Sequence, residues 1–360
     1  MGISFDDGPE RVMPARECDA IVVGAGVIGC AVARELSRRG LRVIVLDART
    51  AGAGATQASA GVLAPYIESP GEGPLQALTV ESLAMYDEFV EGVARDAGAA
   101  IEYSRCGTLE VAADAASAAR LTSLGEWTRS KGIEARWVDT AEASRLEPAV
   151  GHTEGALLVP THGYVRASQL TAALLEAARR AGASFEPGRR VDRIDFEGQE
   201  VTVSAGSASY RGGTLVIAAG SWSGMLASAT AVKPVRGQLL QLRWNGPPIT
   251  RVLWSERCYV VPWADGTLLV GATVEDVGFD ERVTVSGVHD LLTAATALLP
   301  RIGDAAFVEA RVGLRPATPS GLPIIARSTE HPSVVYATGH YRNGILLAPL
   351  TAQRVADLIR

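Results

Sequence analysis

Little in this 360-residue chain points to metal, disulfide, membrane or nucleic-acid chemistry. There are only four cysteines, Cys18, Cys30, Cys106 and Cys258, and they form no C-x-x-C pair. The five histidines (His152, His162, His289, His331, His340) include no H-E-x-x-H and no metal-ligand spacing. Free thiols in a reducing compartment, with no metal, are the simplest reading. Basic charge is not in excess: 34 Lys and Arg against 40 Asp and Glu give −6, with a pI near 5.5. That balance argues against nucleic acid as a partner. The pairs Arg38-Arg39 and Arg189-Arg190 read as solvated element ends. The most apolar run, 20–33, is too short to span a bilayer and is full of glycine, so no membrane partner and a cytoplasmic location are expected. The first 17 residues carry no apolar h-region. Residues 1–12 are expected to be a disordered extension, with Met13 an alternative start. Both asparagines, Asn245 and Asn343, are followed by Gly and a non-hydroxyl residue, so there is no glycosylation sequon. No internal repeat is found.

What is present is concentrated in Asp19 to Asp47, DAIVVGAGVIGCAVARELSRRGLRVIVLD. The β-branched run Ile21-Val22-Val23 suits a strand buried on both faces. Gly24-Ala25-Gly26-Val27-Ile28-Gly29 follows as a G-x-G-x-x-G, then helical spacing as far as Ser37, Gly40 as the stop, and a second apolar strand ending on Asp47. Gly24 permits the tight turn, Gly26 lets a pyrophosphate approach the backbone, and Gly29 lets helix and strand pack closely. The helix N-terminus offers N–H groups and a positive dipole end to phosphate. Asp47, at the strand tip, suits the two ribose hydroxyls and disfavours a 2′-phosphate. A lone glycine motif would be a turn in any α/β protein; strand, glycines, helix, strand and acid in this order point to a dinucleotide.

The uncharged run of small residues from Thr50 to Pro65 suits backbone laid against a flat ligand, the other reading being a surface loop. Further on, the pattern predicts one amphipathic helix over 75–97 and a strand pair over 101–111 turning at Cys106-Gly107. Helices are expected over 115–130, from Thr140 as N-cap to near Pro148, over 167–181, over 284–299 and over 345–359. Parallel-type strands are expected near 156, 216 and 336, a hairpin over 190–204, antiparallel strands over 233–244 and 251–274, and a further strand over 306–314. The fold class is α/β: a Rossmann-like dinucleotide domain assembled from 13–74, 151–231 and 311–360, with an antiparallel-sheet substrate domain with helices from 75–150 and 232–310.

Taken together, AGVLAP (60–65), AAGSWSG (218–224), RCYVVPW (257–263), VGATVEDVGFD (270–280), GLRPAT (313–318) and GHYRNGILLAP (339–349) resemble the D-amino-acid oxidase family of FAD flavoproteins, and within it the glycine oxidases. The resemblance runs from about Cys18 to Arg360. It implies non-covalent FAD of the glutathione-reductase type of binding fold, with the pyrophosphate over Gly24, Gly26, Val27, Ile28 and Gly29 and the ribose on Asp47, where the family more often has Glu. Thr56, Ala60, Gly61, Val62 and Leu63 would run along the isoalloxazine, and Val191 would hold the adenine through its backbone. Ala219, Gly220 and Trp222 would approach from the third strand, and Gly339, His340, Arg342, Asn343, Gly344, Ile345 and Leu346 would meet the flavin pyrimidine. Arg315 would clamp the substrate carboxylate, Tyr259 would donate to it, and Arg342 would support it from farther round. Arginine suits that role because it grips a carboxylate bidentately. Tyr341 and Trp254 are pocket walls or plain core aromatics. Two positions depart from the family pattern, Arg257 where His is frequent and Val274 where Met occurs.

The implied reaction is oxidative deamination of glycine or another small amine (sarcosine, small D-amino acids) by hydride transfer to flavin N5, with O2 reoxidising the flavin to give H2O2. The products are an α-keto acid and ammonia or an amine. A role in supplying thiamine biosynthesis, and a homotetramer, are further implications of the resemblance. Open alternatives are a sarcosine or D-amino-acid oxidase or dehydrogenase with another acceptor and, more distantly, a non-catalytic flavin-binding module. The absence of any cysteine after Cys258 argues against flavin attached in the C-terminal part.

Overall fold

The computed structural model describes residues 15–68, 71–227 and 230–359. The extension expected over 1–12 lies outside the described residues. The Arg16–Val23 strand runs into the Val27–Arg38 helix, and the Val43–Asp47 strand returns parallel to the first, pairing Ala20 with Val43 and Val23 with Leu46. This is the parallel β-α-β unit that the hydrophobic pattern leads one to expect. The Ala208–Ile217 strand lies parallel on the other side of Arg16–Val23, and Val334–Thr338 lies parallel beyond it. The first sheet thus draws together segments some three hundred residues apart in sequence. Two further strands in it escape sequence reading because they are short: Ser184–Pro187 beside Val43–Asp47, and Ile324–Arg327 antiparallel to Val334–Thr338.

The second sheet is led by the long antiparallel pair Lys233–Arg243 and Ala306–Ala317, and continues through Thr267–Gly271, Tyr259–Pro262, Val252–Trp254 and Thr108–Ala112. A small third sheet joins Val62–Leu63, Gly163–Val165 and Tyr103–Ser104.

Several expectations are corrected. Gly155–Val159 is not a parallel strand of the first sheet: it pairs antiparallel with Thr108–Ala112 and Arg136–Val138 in the second. An all-apolar five-residue run cannot report which of two buried sheets it joins. The division drawn at residue 150 therefore leaves this strand on the wrong side, and the one drawn at 310 cuts through the Ala306–Ala317 strand. The stretch 101–111 is no hairpin, since Tyr103–Ser104 and Thr108–Ala112 lie in different sheets. The helix expected over 75–97 is two, Pro74–Ala84 and Tyr86–Ala97, meeting at Met85. Both pack into the core of the first sheet, where Leu83, Tyr86, Val90 and Val93 are buried with Leu170, Leu174 and Leu346. They therefore do not belong with the second sheet, as the segment 75–150 would have it. Thr140 is the first helical residue of Thr140–Leu146 and not its cap; Asp139 accepts from the Glu142 N–H at 2.8 Å.

The Val27–Arg38, Ala167–Arg180 and Gly344–Leu358 helices cover one face of the first sheet and share a core of Val, Ala and Leu. Strand ends and helix N-termini thereby converge on one edge, where α/β sheets bind ligands.

Candidate active site

A cleft of about 1140 Å³ runs from Asp47 and Val191 at one end to Tyr259 and Arg315 at the other. That exceeds the ~300–1,000 Å³ of an ordinary small-molecule site and has room for a dinucleotide with a second molecule.

The nucleotide end is made of backbone. Gly24 turns with φ +108°, and a Cβ there would lie 2.3 Å from the Ala218 carbonyl oxygen. A Cβ on Gly29 would lie 1.8 Å from the Gly24 carbonyl oxygen, so this glycine sets how closely helix meets turn. Gly26 is the N-cap and has no side-chain cap; the first N–H, of Val27, is held by Thr56 Oγ1 at 3.1 Å. The helix N-terminus therefore faces the cleft with donors to spare. Asp47 Oδ2 accepts from the Ala25 N–H at 2.6 Å and Oδ1 from the Arg49 N–H at 2.7 Å. Each carboxylate oxygen keeps a second lone pair for a ribose hydroxyl. The Gly344–Leu358 helix also starts at the cleft without a side-chain cap, at Asn343. Its first turn is fixed from behind by Ser82 Oγ on the Leu346 carbonyl (2.7 Å) and Tyr86 Oη on the Ile345 carbonyl (2.8 Å). The serines of AAGSWSG tie strand ends together: Ser221 bonds the Leu314 carbonyl at 2.9 Å, and Ser223 bonds Thr338 at 2.8 Å.

Of the residues singled out by sequence, Gly24, Gly26, Val27, Ile28, Asp47, Thr56, Ala60, Gly61, Val62 and Val191 line the cleft. So do Ala219, Gly220, Trp222, Tyr259, Arg315, His340, Arg342, Asn343, Gly344 and Ile345. Gly29, Leu63, Gly339 and Leu346 do not line it. Gly29 lies under the turn, Leu63 and Leu346 are buried in the core, and a Cβ on Gly339 would meet the Thr318 methyl at 2.5 Å. His340 turns its ring inward to Thr351 Oγ1 at 2.9 Å, and burial pushes its pKa down to about 3. It serves as a neutral structural group. Trp254 and Tyr341, left open by the sequence, both line the cleft.

The substrate end is made of side chains on distant strands. Arg315 Nη1 donates to the backbone carbonyls of Thr273 (3.0 Å) and Arg236 (3.2 Å), and its guanidinium lies where a Cβ on Gly237 would be, 2.2 Å away. Tyr259 faces Gly271 across the sheet, and a Cβ there would lie 2.5 Å from its hydroxyl. Two in-strand glycines thus make room for the two polar groups; glycine inside a strand is the signal that could have found them. Burial pushes the Tyr259 hydroxyl up to about 12, eased by Arg315, so it stays a donor at neutral pH. Tyr341 has φ +50°, an uncommon backbone state for an aromatic residue, and its N–H is bonded to the Pro316 carbonyl at 2.9 Å. That bond joins the GLRPAT and GHYRNG segments, and the strained turn sets Arg342 beside Arg315.

Glu68 was missed by sequence reasoning, since nothing around it distinguishes a cleft carboxylate. It ends the short Pro65–Glu68 helix, and its Oε2 accepts from Arg342 Nη1 at 3.1 Å. Burial raises its pKa, opposed by Arg342 and then Arg315. The Arg342 charge is therefore already engaged, whereas the hydrogen bonds of Arg315, among the described residues, go to backbone carbonyls. At the other end, Arg49 stacks over Trp222 with 4.7 Å to the ring centroid and pairs with Glu281 at 2.6 Å. Among the described residues no group of His, Cys, Asp and Glu is arranged to hold a metal ion. Nor, among them, is any helix long and apolar enough to cross a membrane.

The residues fit FAD: a glycine turn in which Gly24 and Gly29 have no room for a Cβ, two helix N-termini without side-chain caps, an acid with spare acceptor capacity, and a cleft of dinucleotide size. Comparison with known proteins agrees. The family model described as FAD dependent oxidoreductase (DAO) matches residues 19–358. Glycine oxidase of Geobacillus kaustophilus is 35% identical over 95% of this chain and 92% of its own. The bifunctional protein ThiO/ThiG of Nostoc sp. is 35% identical over 95% of this chain, which spans 52% of that longer protein. The crystal structure of the Geobacillus kaustophilus glycine oxidase superposes with a TM-score of 0.92 at 34% identity, covering 96% of this chain and 95% of the other. With these matches over a cleft built for a flavin dinucleotide, the chain belongs to the DAO family of FAD-dependent oxidoreductases.

Proposed function

We propose that this enzyme deaminates glycine and related small amines (sarcosine, small D-amino acids) oxidatively, giving the α-keto acid, ammonia or an amine, and H2O2. The observation that carries the reading is Arg315: a half-buried guanidinium in the cleft, held by two backbone carbonyls and with no carboxylate within ion-pair distance among the described residues. A positive charge so placed needs an anion, and the carboxylate of an amino acid supplies one. Tyr259, kept protonated, donates to the same carboxylate.

Bound FAD would supply the two-electron acceptor and the route to O2. What the chain's own residues do is orient and exclude. Arg315 and Tyr259 fix one end of the substrate so that its Cα–H faces a single direction, and the apolar walls keep water from the reacting carbon. The mechanism asks for no protein base; among the described residues the carboxylates that line the substrate end of the cleft are Glu68, paired with Arg342, and Glu256, paired with Arg120 at 3.4 Å. We infer that the cofactor is held without a covalent link, with Cys258, buried beside Tyr259, lining the cleft as a free thiol. The favoured setting is the cytosol, with three of the four thiols buried and all unpaired. A homotetramer is the proposed assembly, by resemblance, and its mass in solution tests it.

A peroxide-coupled assay of the purified yellow protein against glycine, sarcosine, N-ethylglycine, D-alanine and D-proline tests the proposal. Peroxide from glycine and sarcosine is expected; silence across the whole panel would overturn it. Acid precipitation should leave all yellow colour in the supernatant, and colour on the pellet would refute non-covalent binding.

A further inference from the structure

The turn between the Val252–Trp254 and Tyr259–Pro262 strands hangs over the substrate end and carries adjacent opposite charges, Glu256 and Arg257. Glu256 reaches away to Arg120 at 3.4 Å. Arg257 is exposed and, among the described residues, has no ion-pair or hydrogen-bond partner for its guanidinium. It also borders a side recess of about 260 Å³ that opens beside the main cleft past Ala272 and Val274. Two acids line that recess, Glu275, held by Arg236 at 2.5 Å, and the exposed Asp290, and among the described residues neither is within ion-pair distance of Arg257. Among the described residues lining this end, Arg342 is paired with Glu68, while Arg315 and Arg257 have no carboxylate within ion-pair distance.

We infer that Arg257 is a specificity-determining residue that favours amino-acid substrates bearing a second acidic group. Such a substrate places its α-carboxylate on Arg315 and its second carboxylate on Arg257 at the lip. The second acid sits on an arm from the amine nitrogen or from Cα, and either source presents the same chemistry to the guanidinium. The inference rests on the amine-oxidising reading above. The exposed position makes the contact a charge-assisted hydrogen bond at the rim and not a buried clamp, so it acts mainly on binding.

Matched acid and amide pairs test it, because each pair differs in charge and hardly in shape. The arm on nitrogen is probed with iminodiacetate against its monoamide, and the arm on Cα with D-aspartate against D-asparagine. In the unaltered holoenzyme, kcat/KM should favour the acid in at least one pair, and which pair identifies the arm. Arg257→Ala should lower that acid-to-amide ratio about tenfold, chiefly through KM, and Arg257→Lys should recover part of it. The inference is overturned if neither pair favours the acid, or if the ratio is the same in Arg257→Ala. Bleaching of the flavin by glycine separates the two failures: if glycine bleaches it and the acids gain nothing, only Arg257's role falls. If no amine bleaches it, the amine-oxidising reading falls as well.

Discussion

The two ends of the cleft are built on opposite principles. At the nucleotide end, one continuous stretch of 29 residues, 19–47, supplies turn, helix terminus and acid, and apart from the Asp47 carboxylate the contacts it offers are backbone N–H groups. At the substrate end, Arg315, Tyr259, Arg342 and Glu68 come from four separate segments, and the contacts offered are side chains. Backbone recognition demands shape, so its defects should be structural and severe. Side-chain recognition demands charge, so its defects should be graded and kinetic.

The largest effect expected is at the nucleotide end. Gly29→Ala puts a carbon 1.8 Å from the Gly24 carbonyl oxygen, and the protein should lose its flavin and unfold at markedly lower temperature. A cost above about 3 kcal/mol is expected for forced backbone overlap. Flavin absorbance and Tm check it, and a yellow variant of unchanged Tm would break the comparison. Next comes Arg315→Ala. Loss of a half-buried carboxylate partner should reduce kcat/KM for glycine on the order of a thousandfold, with the flavin still bound.

Tyr259→Phe should cost about tenfold in kcat/KM, the order of one hydrogen bond to a charged group. Because burial holds this hydroxyl near 12, it carries its proton across the neutral and mildly alkaline range. The alkaline limb of the pH profile should therefore stay where it is in Tyr259→Phe, and a limb that moved would mean that Tyr259 titrates in turnover. The smallest effect is expected of Glu68→Gln, which releases Arg342 from its partner. A two- to threefold change in KM is about the size of a partly exposed ion pair, and a hundredfold change would place Glu68 in the chemistry itself.

The same contrast explains what the sequence disclosed. The first β-α-β unit was readable residue by residue, because its signals are local: β-branched strand, glycines, helical spacing, Gly40 as stop. Arg315 and Arg342 stood out only through the segments around them, since no spacing in the chain says that residues 315 and 342 meet. The Tyr341 bond to Pro316 that joins them is a long-range event. Gly237 and Gly271 were visible as glycines inside strands, but what they make room for is not written nearby. Glu68 gave no signal at all. Pattern alone puts Gly155–Val159 in the wrong sheet, because an unbroken apolar run is equally at home in either. The break at Met85 was hidden by apolar spacing that continues through it.

Anaerobic mixing of the yellow holoenzyme with glycine tests the central claim most directly, because it isolates the first half-reaction from the choice of acceptor. The account predicts that glycine bleaches the flavin in the unaltered protein and does so far more slowly in Arg315→Ala at the same concentration. A flavin that stays yellow with glycine and sarcosine alike, or bleaches equally fast without Arg315, would contradict it.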